Sequence, residues 1–250
     1  LKTVELIACE DTRHTSKLLR HFGIERPTIS YHEHNEDQRT PSLIKRLKAG
    51  QSLALVSDAG TPLLSDPGYR LVLAAHEAGI RVCPIQGPFA GAAAVSVSGL
   101  ATDQVLLCGF PPKKSSAQLK QFEAVKELPA TLVYYLSPHK LSATLETMLE
   151  AFGNREAFIL REMTKLHETA YRGTIETLLE IIRGEQPLGE YTMVIAGKSG
   201  DSPPPPPIDL DAYITGLCLT RDLTRTAAIK AASAELGIPR RELYDLLKRD

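Results

Sequence analysis

The residues with the clearest potential for ligand chemistry lie in the stretch Ser57-Asp58-Ala59-Gly60-Thr61-Pro62-Leu63-Leu64-Ser65-Asp66-Pro67-Gly68, where the carboxylate of Asp58 stands just ahead of Gly60. An apolar run, Ser52 to Val56, leads into it and reads as a buried strand. The run stops just short of Asp58, which places that carboxylate at the strand's carboxyl end, the edge at which open α/β sheets take their ligands. Gly60 lets the backbone turn or approach a ligand closely. Asp66 and Pro67 read as a helix start, with Asp as N-cap and Pro in the first helical position. The helix then runs from Tyr69 to Ala78 and ends at Gly79. A loop of about ten residues therefore stands where a short turn would suffice. It reads equally as a binding loop and as an ordinary strand-to-helix connection with a capping Asp.

Other elements place further polar groups at strand ends. Val4 to Cys9 reads as a strand with Glu10-Asp11-Thr12-Arg13 at its end, and Thr12 or Asp11 caps a helix over Arg13 to His21, closed by Gly23. Ile29 to His32 is a short strand. It runs into the polar loop His32-Glu33-His34-Asn35-Glu36, and a helix follows over Pro41 to Lys48. Ile80 to Ile85 is another strand, then Gln86-Gly87-Pro88-Phe89, and a helix of small residues over Ala90 to Ser98. Those small side chains suit either a close ligand or tight helix–sheet packing. Val105 to Phe110 is a strand, and Pro111 to Ser116 looks like a hinge. Beyond it come a helix from Ala117 to Leu128, a strand from Thr131 to Leu136, and a helix from Ser137-Pro138 to Phe152. Strands over Ala157–Arg161, His167–Arg172 and Tyr191–Ala196 complete the pattern, with a helix capped by Thr174 and ended by Gly184. The alternation predicts two α/β domains, 1–110 and 117–197. Gly197 to Pro207 holds five consecutive prolines and reads as an extended spacer. The helices Thr226–Leu236 and Pro239–Lys248 then form a small helix-turn-helix-like module within 208–250. It reads as a nucleic-acid-binding part or as a packing appendage.

Composition narrows the class. The chain has 250 residues, 43% of them hydrophobic and 24% charged, with a net charge of −1. No global field recruits nucleic acid, so any basic surface is local. Arg13, Lys17, Arg20 and Arg39 lie near His14, His21, His32 and His34, as a phosphate-binding face or a solvated one. His32 and His34 alternate around Glu33 without a third ligand, so no metal is expected. The cysteines Cys9, Cys83, Cys108 and Cys218 make no zinc or redox pair. The first three lie in apolar runs and read as reduced core residues. No apolar run spans a bilayer and no signal peptide opens the chain, so a cytoplasmic protein is expected.

Five pieces in order carry a resemblance: Leu6 to Leu19, Tyr31 to Glu36, the Ser57–Gly68 loop, Ser137-Pro138-His139-Lys140, and Arg161 to Glu168. Together they closely resemble the ribosomal RNA small subunit methyltransferase I family of the tetrapyrrole-methylase superfamily. The resemblance implies 2′-O-methylation of a cytidine ribose in small-subunit ribosomal RNA, with S-adenosylmethionine as donor. It also implies two α/β domains with the donor in the cleft between them, a homodimer, and the assembled 30S subunit as partner. Members begin roughly one strand and one helix earlier than Leu1, a unit of ordinary βα size. That segment carries a Pro-Ile-Gly-Asn-like loop beside the donor, so the start is expected to be truncated. Phe89 stands where Ser is usual, and Leu136 and Lys140 replace Glu and Arg.

On that resemblance Asp58, Gly60, Thr61, Ala90, Ser137 and Pro138 meet the donor, and backbone groups of Tyr191 and Thr192 face its adenine. Holding donor and acceptor in line supplies much of the catalysis, and a base that takes the hydroxyl proton adds to it. Glu10, Asp11, Lys165 and Glu168 are the candidate bases, a lysine serving only if burial or a nearby cation keeps it neutral. Arg13 completes the catalytic set, or these charges merely pair with Arg13 and Arg161 to hold the cleft. The same fold and donor acting on a tetrapyrrole or a protein side chain is the alternative enzyme. A regulatory nucleic-acid-binding protein is the alternative from another class.

Overall fold

The computed structural model describes residues 1–198, 210–221, 223–236 and 247. The chain divides into two compact units, Leu1–Lys198 and Ser199–Asp250. The first holds two sheets. It opens with β1 (Leu6–Cys9), α1 (Thr12–His21), β2 (Thr28–Ser30), α2 (Glu36–Lys48) and β3 (Leu53–Val56), followed by α3 (Tyr69–Glu77) and α4 (Ala90–Ser98). Next come β4 (Val105–Gly109), α5 (Ser115–Val125), β5 (Thr131–Leu136) and α6 (Leu141–Phe152), then β6 (Glu156–Arg161), β7 (Thr169–Thr174), α7 (Ile175–Arg183) and β8 (Tyr191–Ile195).

The first sheet is parallel, in the order β2-β1-β3, with Cys9 opposite both Ser30 and Val56. Leu6, Ala8, Tyr31, Leu43 and Leu71 form its core. The second sheet runs β4-β5-β8-β6-β7, parallel between β4 and β5 and antiparallel elsewhere. On one of its faces lies the main core, including Phe122, Leu145, Met148, Leu178 and Ile182 from α5, α6 and α7. Thr174 caps α7 in a reciprocal capping box with Thr177, two orphan backbone donors met at once.

Four expectations need correction. First, β4 is hydrogen-bonded to β5, and Ala94 and Val95 of α4 pack on Val133, Phe158 and Val194. The chain therefore leaves the first sheet well before the proline pair at 111–112, and the boundary at residue 110 does not hold. Second, Ile80 to Ile85 forms no strand: Val82 is 39% and Ile85 88% exposed, and Cys83 is exposed too. An alternating apolar segment becomes a strand only where a ladder partner exists. Third, α3 is capped by Gly68 at φ 138°, not by Asp66. A Cβ there would lie 2.6 Å from Leu55 Cδ2 and 2.9 Å from Leu63 Cδ1, so only glycine lets the loop lie this close to β3. Fourth, α2 starts at Glu36 and continues through Pro41, with Glu36 and Asp37 facing the positive end of its dipole.

The second unit contains α8 (Leu210–Arg221) and α9 (Arg225–Leu236), packed through Ile214, Leu217, Ala228, Ile229 and Ala232. The helix expected over Pro239–Lys248 lies outside the described residues, Leu247 apart. No described helix is long and apolar enough to cross a membrane.

Candidate active site

Because β1, β2 and β3 end level with one another, the residues after them emerge at one edge: Glu10-Asp11, Tyr31-His32 and Ser57-Asp58. Asp11 is the N-cap of α1. Its Oδ1 accepts the Arg13 backbone N–H at 2.8 Å, and its two oxygens take the Arg13 side chain at 3.1 and 2.8 Å. Those bonds hold the Asp11 carboxyl far below the usual carboxylate range. The Asp11 N–H donates in turn to Asp58 Oδ1 at 3.4 Å. Glu10 behaves in the opposite way: burial pushes its pKa up, and the carboxylates of Asp66 and Asp58 add to the rise. Burial likewise raises Asp66, with Asp58 contributing. His32 is fixed by Asn35, whose Oδ1 accepts the His32 N–H at 2.9 Å and whose amide lies 3.0 Å from Nε2.

The loop from Ser57 to Gly68 reaches from this edge to the second sheet. Gly60 is left-handed at φ 72°, and the Thr61 hydroxyl donates to the Pro88 carbonyl at 2.9 Å. Leu63 and Ser65 also hold positive φ, 73° and 69°, a strain of about 1–3 kcal/mol each. Ser65 Oγ lies 3.3 Å from where a Cβ on Gly109 would sit, at the end of β4. Asp66 is close enough to Tyr135 of β5 to raise its phenol, behind burial as the main cause. Gly91, next after Ala90 at the start of α4, is pressed between Leu107, Tyr135 and Phe89: a Cβ would meet them at 3.2, 3.2 and 3.3 Å.

Strand direction assembles the other half. β4 and β5 end, and β8 begins, at one end of the second sheet, where Arg161 of β6 lies opposite Tyr191. Ser137, Pro138, Tyr191 and the 161–168 loop are thereby collected together, with Thr192 one residue inside, opposite Tyr135. Thr192 has β5 on one side and β6 on the other, opposite Tyr135 and Leu160. In the 161–168 loop, Glu162 and Thr164 hold φ of 50° and 66°. Lys165 Nζ pairs with Glu162 at 3.0 Å and Glu190 at 3.1 Å, and both carboxylates raise its pKa. A neutral, proton-accepting Lys165 does not fit that arrangement. Glu168 Oε2 accepts the Thr164 N–H at 2.5 Å and braces the turn.

Residues 1–179 match the family model of tetrapyrrole (corrin/porphyrin) methylases. A ribosomal RNA small subunit methyltransferase I of Synechocystis is 44% identical over 98% of this chain and 88% of its own length. One of Escherichia coli O157:H7 is 39% identical, covering 98% and 85%. This chain belongs to that methyltransferase family. Two solved structures share the fold. The uroporphyrin-III-C-methyltransferase of Thermus thermophilus has a TM-score of 0.54 at 20% identity, covering 78% of this chain and 84% of its own. A diphthine synthase has a TM-score of 0.57 at 15% identity, covering 79% and 81%.

In this family member the two halves meet through residues that sequence reasoning passed over. Asp66 read as a helix cap, yet it joins the Glu10–Asp58 carboxylates and reaches Tyr135. Tyr135 itself sat in an apolar strand with nothing to mark it, and the Phe110 ring lies beside it, tilted by 45° with ring centroids 5.4 Å apart. The only signal for Asp66 was its spacing from Asp58 across an over-long loop. Among the described residues no group of three His, Cys, Asp or Glu is arranged to hold a metal ion.

Proposed function

We propose that this protein transfers a methyl group from S-adenosylmethionine to the 2′-hydroxyl of a cytidine in small-subunit ribosomal RNA. In this reading it works as a cytoplasmic homodimer on the assembled 30S particle. The observation that carries the reading is the 44% identity, over 98% of the chain, to a protein named for that reaction class. Bound donor supplies an electrophilic methyl on a positively charged sulfonium. The carboxylates of Glu10, Asp58 and Asp66 give this edge the sign that suits such a cation. Asp58, exposed at the end of β3, and the Gly60–Thr61 turn braced on Pro88 form one wall. Ala90, Ser137-Pro138, and the backbone at Tyr191 and Thr192 form the other.

Glu10 is the base. Its raised pKa makes it a better proton acceptor than Asp11, whose carboxyl is committed to Arg13. Arg13 positions Asp11, and through the Asp11 N–H it positions Asp58. Lys165 and Glu168 shape the 161–168 turn, with Lys165 as a cation. The test is methylation by labelled donor of small ribosomal subunits beside a corrin precursor. The expected result is label in ribosomal RNA that resists alkali at one cytidine. Label in the corrin alone overturns the RNA assignment.

A further inference from the structure

The chain as a whole is balanced, 29 Lys and Arg against 30 Asp and Glu. Helix α1 is not. Its ten residues, Thr12 to His21, hold Arg13, Lys17 and Arg20 with His14 and His21, and no acid. At about 100° per residue, Arg13, Lys17 and Arg20 fall within about 60° of one another. They lie opposite Thr15 and Leu19, the two residues the helix buries. All three are exposed. Arg13 pairs with Asp11, its side chain still 88% exposed, and among the described residues Lys17 and Arg20 make no ion pair.

Helix stability does not explain the pattern. A cation in the first turn opposes the helix dipole, and no acid three or four residues away supports Lys17. Arg20 and His21 in the last turn alone suit the dipole. The stripe begins where Asp11 touches Asp58 and extends about 10 Å along the helix. At its far end the exposed ring of Phe22 lies edge-on to His21, centroids 4.9 Å apart.

We propose that the Arg13–Lys17–Arg20 face of α1 is the track on which consecutive phosphates of the substrate RNA strand lie as its target ribose enters the Glu10–Asp58 edge. Phe22 offers an unpaired base a surface to stack on at the far end. The inference rests on the methyltransferase reading and assigns its RNA contact. Phosphate contacts position a strand without reading sequence, so this face fixes register while the site selects the ribose.

The test uses the full chain with Lys17→Ala and Arg20→Ala combined, alanine being the best helix former. Binding of purified small-subunit ribosomal RNA is measured against salt, with donor affinity by calorimetry and KM and kcat on small subunits alongside. Two lost single-strand phosphate contacts should reduce the log–log salt slope by about 1.4 and weaken binding on the order of 25-fold at 0.1 M salt, about fivefold per contact. KM should rise with kcat, donor affinity and thermal midpoint unchanged. An unchanged slope and RNA affinity overturn the proposal. If the wild-type chain methylates nothing, the methylation reading falls; RNA binding that still loses its slope in the variant keeps the track. Arg20→Gln alone, expected to give half the slope change, decides the matter should the double variant fold poorly.

Discussion

Replacing Glu10 by glutamine should abolish most activity while leaving the protein at least as stable. A positioned base contributes typically 10²–10⁴ in rate, about 2.7–5.4 kcal/mol of barrier, and that is the expected loss in kcat/KM. The stability prediction follows from the same shift. Burial, with Asp66 and Asp58, raises the Glu10 pKa in the folded state. An acid raised on folding costs nothing below its unfolded pKa, and the cost is complete once pH exceeds the folded value. At neutral pH the wild type therefore bears this penalty, and the amide removes it. The thermal midpoint of Glu10→Gln should stay or rise, which separates lost chemistry from lost folding. The acid limb of kcat/KM reports the base in the free enzyme. Asp66 is the largest charge contribution to the Glu10 shift, so Asp66→Asn should move that limb to lower pH, and Asp58→Asn should move it less. Initial rates are measured from pH 4.5 to 8 with saturating labelled donor and small subunits well below KM, so that they report kcat/KM. A Glu10→Gln enzyme within threefold of wild type, or an acid limb that Asp66→Asn leaves in place, refutes the assignment of Glu10.

Asp58→Ala should weaken donor binding about 10- to 150-fold, the worth of one hydrogen bond to a charged group, without lowering the thermal midpoint. Unchanged calorimetric affinity removes Asp58 from the site. Gly68→Ala should destabilise by at least about 2 kcal/mol, because a positive φ and a 2.6 Å approach to Leu55 act together; an unaltered midpoint contradicts that packing. Lys165→Met should leave the acid limb of kcat/KM where it is, since Glu162 and Glu190 keep the ammonium charged. A limb that disappears would show Lys165 titrating in the cycle. Leu145→Ala, at a fully buried position of α6, should cost about 2–5 kcal/mol in chemical denaturation; a smaller loss would mean the core closes over the gap.

Local signals carried the elements well. The run Thr131–Leu136, the cap at Asp11, and the Thr174 start of α7 all form where apolar pattern and capping chemistry place them. The parallel first sheet follows from its alternation with helices, and with it the gathering of Glu10, Asp11 and Asp58 at one edge. Local signals failed where the deciding contact is distant in sequence. Asp66-Pro67 has every mark of a helix start, yet the helix begins only after Gly68, the residue that both Leu55 and Leu63 approach closely. The acid–base properties of the site were also hidden. Glu10 and Asp11 are adjacent and chemically alike, and their pKa values move in opposite directions. One is half-buried among carboxylates; the other faces Arg13.

The path of the chain between the sheets explains why one loop can serve both halves. After α3 the chain runs through Ile80 to Phe89 without helix or strand and enters α4, whose Ala94 and Val95 already pack on the second sheet. Pro88 lies on that crossing, and its carbonyl receives the Thr61 hydroxyl. The Gly60–Thr61 turn thus leaves the first sheet while braced on the segment that joins the second. Ser65 against Gly109 and Asp66 beside Tyr135 repeat the contact farther along. Three contacts spaced over six residues tie the loop, which leaves β3 of the first sheet, to the crossing segment and to the second sheet. At the start of α4 the fit is close: a Cβ at Gly91 would meet Tyr135 and Leu107 at 3.2 Å, so those side chains would have to give by a few tenths of an ångström.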